Sequence, residues 1–262
     1  GNRLNAVLVL DGCRNGDRSR TFPDSSLLQV AVGLRQIHNL TVVSSATGGA
    51  GKSTVAAGLG CAFALLKEKT LLLDWNLLCG GPAEWLETGE ETPYHLGDVS
   101  VGRCTLADAI FPAQSVSTLF LTRPPVTSAE FPGESMLAEW ISQLSGEYDR
   151  VIADVPFWSP CFGVLTQQAG ETLLVVTPEQ RSVACCDRLR TSSLGQQMAH
   201  SGLVINRFHR KQFWKEGAFS DLDEVIDRCG IPLRAVVPED PFLAHEMTEA
   251  LAETTHYEKI PF

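Results

Sequence analysis

"SSATGGAGKST", residues 44–54, decides the fold. It follows an apolar run, "LTVVSSA" (40–46), and precedes an Ala/Leu-rich run, "STVAAGLGCAFALLKEK" (53–69). A Gly-rich turn between a strand and a helix gathers backbone N–H groups at the positive end of the helix, which makes an anion site. Glycines let the backbone wrap a phosphate without Cβ clashes. A lysine in such a loop reaches the outer phosphates, and the next Ser or Thr ligates Mg²⁺. Gly48, Gly49, Gly51, Lys52 and Ser53 fit these roles, with Thr47, Ala50 and Thr54 beside them. The strict pattern G-x-x-x-x-G-K-[ST] is broken, because Ala46 stands where its first glycine belongs.

Outward from the loop, apolar strands alternate with helical segments. "TLLLDWN" (70–76), "STLFLT" (117–122), "RVIADVP" (150–156), "TLLVVTPE" (172–179), "HSGLVINRF" (200–208) and "LRAVVPED" (233–240) read as strands. Helices are expected at 26–38, 53–69, 104–111, 134–148, 182–198, 220–230 and 241–253. Strands that are apolar throughout and separated by helices mean a doubly wound, mostly parallel α/β sheet covered on both faces. Residues 1–38, with a strand expected at 5–12, read as an N-terminal segment: an extra strand, a connector or a remnant of an upstream domain. Residues 39–262 read as one P-loop ATP-binding domain.

Three further positions sit where this fold binds ligands, at the carboxyl ends of strands. Asp154 can hold the water shell of Mg²⁺. Asp74 ends the strand after the loop helix. Asn206 ends "GLVIN" and is expected to read an adenine edge, with Pro238 and Glu239 flanking the base.

The 262-residue chain carries a net charge of −10, which argues against general affinity for nucleic acid or anionic membrane. The eight cysteines form no Cys-x-x-Cys and read as reduced thiols in a cytosolic protein. No apolar run approaches the roughly 18 residues of a membrane span, and the start, Gly1-Asn2-Arg3-Leu4-Asn5, lacks a signal-peptide layout.

Together, "TGGAGKST" (47–54), "LLLDWN" (71–76), "YDRVIADVP" (148–156), "LLVVTPEQRSV" (173–183), "LVINRF" (203–208) and "VVPEDP" (236–241) resemble the ParA/MinD group of P-loop ATPases, the deviant Walker A family. The resemblance spans about 40–253. It implies ATP and Mg²⁺ as ligands and a homodimer closed across the nucleotide. It also exposes departures. Members carry a signature lysine just before the loop glycines, which reaches the partner's nucleotide; here Thr47 stands there. They carry a second carboxylate two residues after the Asp of the second strand; here it is Asn76. The usual D-x-P-A-G switch reads Asp154-Val155-Pro156-Phe157-Trp158.

A trans-acting cation is worth roughly 10³–10⁵ in phosphoryl-transfer rate. Thr47 cannot supply it, and Asn76 can orient a water without taking its proton. Lys52, Asp74 and Asn76 are therefore the catalytic candidates of a chain expected to bind Mg-ATP, through Ser53 and Asp154 on the metal, and to hydrolyse it weakly or not at all. The missing lysine makes the chain look like the TadZ/CpaE-like pilus proteins of the group, and "DVPFW" (154–158), "INRFHRK" (205–211) and the ending 249–262 are similar to theirs. That implies a cytoplasmic localisation or assembly factor recruited to a cell pole or the inner membrane by pilus or secretion partners.

The alternative is a hydrolysing MinD- or ParA-type ATPase of cell division or DNA partitioning. A basic amphipathic membrane helix at the end, which a MinD-type regulator would carry, is not evident. The one candidate nucleic-acid patch, "RFHRKQFWK" (207–215), reads as a solvated loop. A tyrosine kinase or an ATP-dependent synthetase on the same fold finds only Tyr257 near the end, and no recognisable spacing among Glu84, Glu87, Glu90, Glu91, His95 and Asp98.

Overall fold

The computed structural model describes residues 25–35, 39–77, 81–82, 86, 92–113, 116–198, 200–209 and 219–239. The expected strand at 5–12, the closing helix at 241–253 and most of the basic stretch 207–215 lie outside them.

Among the described residues eight strands form one sheet: β1 (Leu40–Ser44), β2 (Thr70–Asp74), β3 (Ile110–Pro112), β4 (Leu119–Thr122), β5 (Arg150–Asp154), β6 (Glu171–Val176), β7 (Ser201–Phe208) and β8 (Leu233–Pro238). Their order is β3-β4-β2-β5-β1-β6-β7-β8. Every pairing is parallel except β3 with β4. Among the described helices are α1 (Ser25–Leu34), α2 (Lys52–Leu65), α3 (Leu96–Ser100), α4 (Glu134–Glu147), α5 (Phe162–Gln168), α6 (Gln180–Thr191), α7 (Ser193–Gln196) and α8 (Leu222–Cys229).

β1, β2, β5 and β6 are buried at every residue, because helices cover both faces and no polar face is needed. Alternate side chains serve opposite cores. Val42, Leu71, Leu73, Leu174 and Val176 pack with α4, α5, α6 and α8. Val43, Leu72, Leu173, Val175 and Val204 pack with α1 and α2. In the first core Trp75 stacks between Phe131 and Trp140, with ring centroids 6.1 and 6.4 Å away.

Helix α2 is small-residue-rich for a physical reason. Val55 through Ala64 are all buried. A Cβ on Gly58 would lie 2.5 Å from Leu27 of α1, so this glycine sets how closely the two helices approach.

Two expectations are corrected. Residues 104–111 do not form a helix: a 3₁₀ turn at Ala107–Ala109 leads into β3, which pairs antiparallel with β4. The helix expected over 182–198 breaks at Ser192, whose side chain accepts Gly195 N–H and starts α7. Helix α5 and the short α3, capped by His95 and Asp98, were not expected from the apolar pattern.

Candidate functional site

The carboxyl ends of β1, β2 and β5 bring the motif residues together, since β1 pairs with β5 and β5 with β2 in register: Val43 opposite Asp154, and Asp74 opposite Asp154. The loop after β1 opens α2 directly. Gly49 and Gly51 take left-handed φ values of 77° and 84°, conformations that L side chains rarely adopt. Gly51 is constrained twice, because a Cβ there would lie 2.2 Å from Asn206 Nδ2. A cavity of about 400 Å³ lies over the loop. It is lined by Thr47, Gly48, Gly49, Lys52, Ser53 and Thr54 from the loop and helix, and by Asn76, Trp158 and Arg207 from three other strand ends.

Lys52 is the hub. Its Nζ donates to Ser53 Oγ at 3.1 Å and to Asn76 Oδ1, and stands 3.3 Å from Asp154 Oδ1. The Asn76 amide group donates at 2.7 Å to both Asp74 Oδ1 and Asp154 Oδ2, and its backbone N–H donates to Asp74 Oδ1 at 2.9 Å. Two carboxylates, an amide and an ammonium thus form one buried cluster. Burial pushes the Asp74 carboxyl up to about 8; the neighbouring charge of Asp154 adds to that, while Asn76 and Lys52 oppose it.

Mg²⁺ is the metal such a loop implies, and these residues fit it. Asp154 is fully buried, and among the described residues neither its Oδ1 nor Asp74 Oδ2 has a hydrogen-bond partner. Apart from the Lys52 ammonium 3.3 Å from Asp154 Oδ1, these oxygens lack donors, and buried carboxylate oxygens so placed suit a hydrated cation better than an apolar core. Ser53 Oγ, in the first turn of α2, and Asp154 would hold the ion, which would offset the charge of bound phosphates.

The remaining predicted residues fall around this cluster. Ala50 is buried and its carbonyl accepts Asn206 Nδ2–H at 2.9 Å. Asn206, expected at the base, therefore spends one amide hydrogen fastening β7 to the loop. Pro238 ends β8, three strands from β1, and Glu239 just past it donates its N–H to Phe208 O at 3.0 Å. Neither is among the residues lining the cavity. Thr47 is held on both sides: its N–H donates to Ser45 Oγ, and its hydroxyl shares a hydrogen bond with Ser182, each at 3.2 Å.

Sequence reasoning missed Gly81 and Ser182. A Cβ on Gly81 would lie 1.6 Å from Asp74 Oδ2, so the backbone there passes directly over the carboxylate. The Gly80-Gly81 pair was the available signal. Trp158, in the departed switch, is 58% exposed at the cavity rim beside the half-buried Phe157.

Comparison with known proteins gives the same placement. The CobQ/CobB/MinD/ParA nucleotide binding domain matches residues 41–251. A putative septum site-determining protein MinD of Emiliania huxleyi is 30% identical over 204 residues, 76% of this chain and 74% of that protein. MinD of Bacillus subtilis is 28% identical over 204 residues, 76% and 75% of the two chains. Among solved structures, MinD of Pyrococcus horikoshii complexed with Mg-ADP superimposes with a TM-score of 0.65 at 25% identity, covering 81% of this chain and 86% of that one. MinD in the MinC:MinD complex of Aquifex aeolicus shares the fold, with a TM-score of 0.68 at 24% identity over 81% and 86% of the chains. With the phosphate loop, the Asp74–Asp154 pair and the sheet order all in place, the chain belongs to the MinD/ParA family of P-loop nucleotide-binding proteins.

Proposed function

We propose that this chain is a nucleotide-dependent positioning factor of the MinD kind. It binds Mg-ATP over the loop and turns it over slowly. One observation carries the nucleotide reading: Lys52, at the N-terminus of α2, is joined at once to Ser53, Asn76 and Asp154. That arrangement puts a cation, a metal-ligating hydroxyl and a buried carboxylate at one open anion cup. Gly48, Gly49, Gly51 and Thr54 supply the backbone and first-turn groups, and Asp74 supports the water shell of the metal. ATP closes two copies face to face, with the exposed Trp158 at the rim between them.

The names of the relatives support the role: they are septum site-determining proteins, and one is solved in complex with MinC. A protein partner recruited in the nucleotide-bound state is the corresponding reading here. Among the described residues no helix is long and apolar enough to cross a membrane. Slow turnover rests on Thr47 in place of a reaching cation and on Asn76 in place of a second carboxylate.

A second reading keeps the nucleotide chemistry and changes the user to a pilus or secretion system, with recruitment to a cell pole. Thr47 favours it, as the feature that makes the chain look like the TadZ/CpaE-like proteins. The relatives named MinD favour the first reading.

The test is equilibrium binding of Mg-ATP together with phosphate release, for the chain and for Lys52→Ala. Binding that is lost in Lys52→Ala, with release barely above that variant, is the expected result. Release at a rate typical of efficient ATPases would overturn the slow-turnover part, and absence of binding would overturn the whole reading.

A further inference from the structure

We infer that Thr47 and Ser182 form a latch that sets the leading edge of the phosphate loop within a single chain, which makes Thr47 a positioning residue for the nucleotide. The inference rests on the nucleotide reading above and adds how the loop is held.

Three contacts converge on the latch. Thr47 Oγ1 and Ser182 Oγ are 3.2 Å apart, and either hydroxyl can donate. Ser182 is buried in the first turn of α6, and its Oγ also accepts Thr177 N–H at 3.0 Å. The Thr47 backbone N–H is taken by Ser45 Oγ. Residue 47 is thus tied to the end of β1 through its backbone and to the β6–α6 turn through its side chain.

Such a tie matters most in this segment. Gly48, Gly49 and Gly51 follow at once, and two of them hold left-handed φ values. Glycines lose more freedom on ordering than any other residue, so a loop built from them is costly to fix. Tethering its first residue pre-orders the N–H groups that must converge on phosphate, and pre-ordering raises affinity by lowering the cost of binding. Threonine suits the task, being stiff at χ1 and carrying a hydroxyl that can donate or accept. Where the group resembled in the sequence sends a lysine outward to a second copy, this chain turns a hydroxyl inward to its own α6.

The experiment pairs two readouts. Hydrogen exchange of the 45–51 segment is measured on the nucleotide-free protein, and the Kd of a fluorescent Mg-ATP analogue on the same samples. Thr47→Val removes the hydroxyl and keeps the branched shape; Thr47→Ser keeps the hydroxyl. Ser182→Ala cuts the latch from the other side, with loss of the Thr177 contact as well. Thr47→Val should speed exchange in the loop and weaken the analogue by about three- to tenfold, the range of one net hydrogen bond. Thr47→Ser should stay near the parent in both readouts. The double variant Thr47→Val/Ser182→Ala should be no weaker than the worse single variant, because both changes break one contact. Unchanged exchange in Thr47→Val overturns the latch whatever the nucleotide does. Faster exchange with an unchanged Kd overturns the positioning role. Faster exchange in a chain that binds no analogue at all keeps the latch and removes the nucleotide reading.

Discussion

Asn76 donates its side-chain amide to Asp154 Oδ2 at 2.7 Å, and the same nitrogen reaches Asp74 Oδ1 at 2.7 Å. A carboxylate cannot do this, since it only accepts. Asn76→Asp would remove both donated bonds and place a third acid against two buried ones. Lys52, already paired with the Asn76 oxygen, softens the effect. Loss of hydrogen bonds to charged groups at this site should lower stability by about 2–3 kcal/mol, and the melting midpoint by roughly 5–10 °C. Millimolar Mg²⁺ should recover part of the loss in Asn76→Asp and little in the parent. Melting curves with and without Mg²⁺ settle it; an unshifted, Mg²⁺-insensitive Asn76→Asp would mean the amide bridge carries no weight.

The same cluster predicts a pH dependence. Asp74 titrates near 8 in the folded chain, against an ordinary value of 3.8, chiefly because it is buried. Between those values the folded state holds a proton that the unfolded chain lacks. This contribution to stability is therefore present at low pH and is lost as pH rises through about 8. A cation in the cluster favours the ionised form, so Mg-ATP affinity should rise over the same interval. Asp74→Asn should flatten the slope of melting temperature against pH between 5 and 8, relative to the parent. Parallel curves would assign the titration to another group.

How much of this could be read in the sequence depends on what each residue needs. Lys52, Ser53 and Asp154 were legible because a loop motif and a strand-end acid are local patterns, and the register of β1, β2 and β5 brings them together. The central strands were legible because β1, β2, β5 and β6 are buried on both sides and so carry apolar runs at their centres, with polar residues mostly at their ends. Residues 104–111 misled because Leu106, Ala109 and Ile110 fall at helical spacing, while Phe111 is claimed by antiparallel pairing with Leu121 of the next strand. The break at Ser192 depends on Gly195, where a Cβ would lie 2.0 Å from Leu189 O; that contact is invisible without the turn itself. Ser182 touches a residue 135 positions away, through chain geometry that no local pattern encodes, while Gly81, 7 positions from Asp74, left only the Gly80-Gly81 pair as a signal. Asn76 was read as a lost acid; its gain, two donated bonds, appears only once both carboxylates are placed.

Gly51 offers a test of loop shape apart from charge. Its φ of 84° strains any L side chain, and a Cβ would collide with the Asn206 amide that holds Ala50. Gly51→Ala should therefore weaken Mg-ATP binding by at least tenfold and lower the melting midpoint by several degrees, from strain of about 1–3 kcal/mol. Adding Asn206→Ala should relieve the collision but not the strained φ, and so restore only part of the stability. Full recovery in the double variant would show that crowding, rather than backbone strain, is the reason for glycine.

Helix α1 is fastened to the sheet by a buried ion cluster, which tests whether this helix belongs to the nucleotide-binding unit. Arg150 Nε meets Glu68 Oε2 at 2.5 Å, and the guanidinium also donates to Leu34 O and Arg35 O at the end of α1. The same guanidinium stacks over Phe63, 5.1 Å from the ring centroid. Glu68 is also paired with Arg35, whose side chain is 46% exposed. Removing one partner of a buried pair leaves a charge without compensation, at a typical cost of about 3–5 kcal/mol. Arg35 retains part of the pairing, so Arg150→Met should cost about 3 kcal/mol, while Arg35→Met, at a half-exposed arginine whose partner Glu68 keeps Arg150, should cost under about 1 kcal/mol. Denaturant unfolding gives both values. If α1 is integral, Arg150→Met should also speed hydrogen exchange at residues 25–35 and leave Mg-ATP affinity within about twofold, since no residue of α1 lines the cavity. A drop in stability with no change in α1 exchange would place the cost in Glu68 alone and detach the helix from the argument.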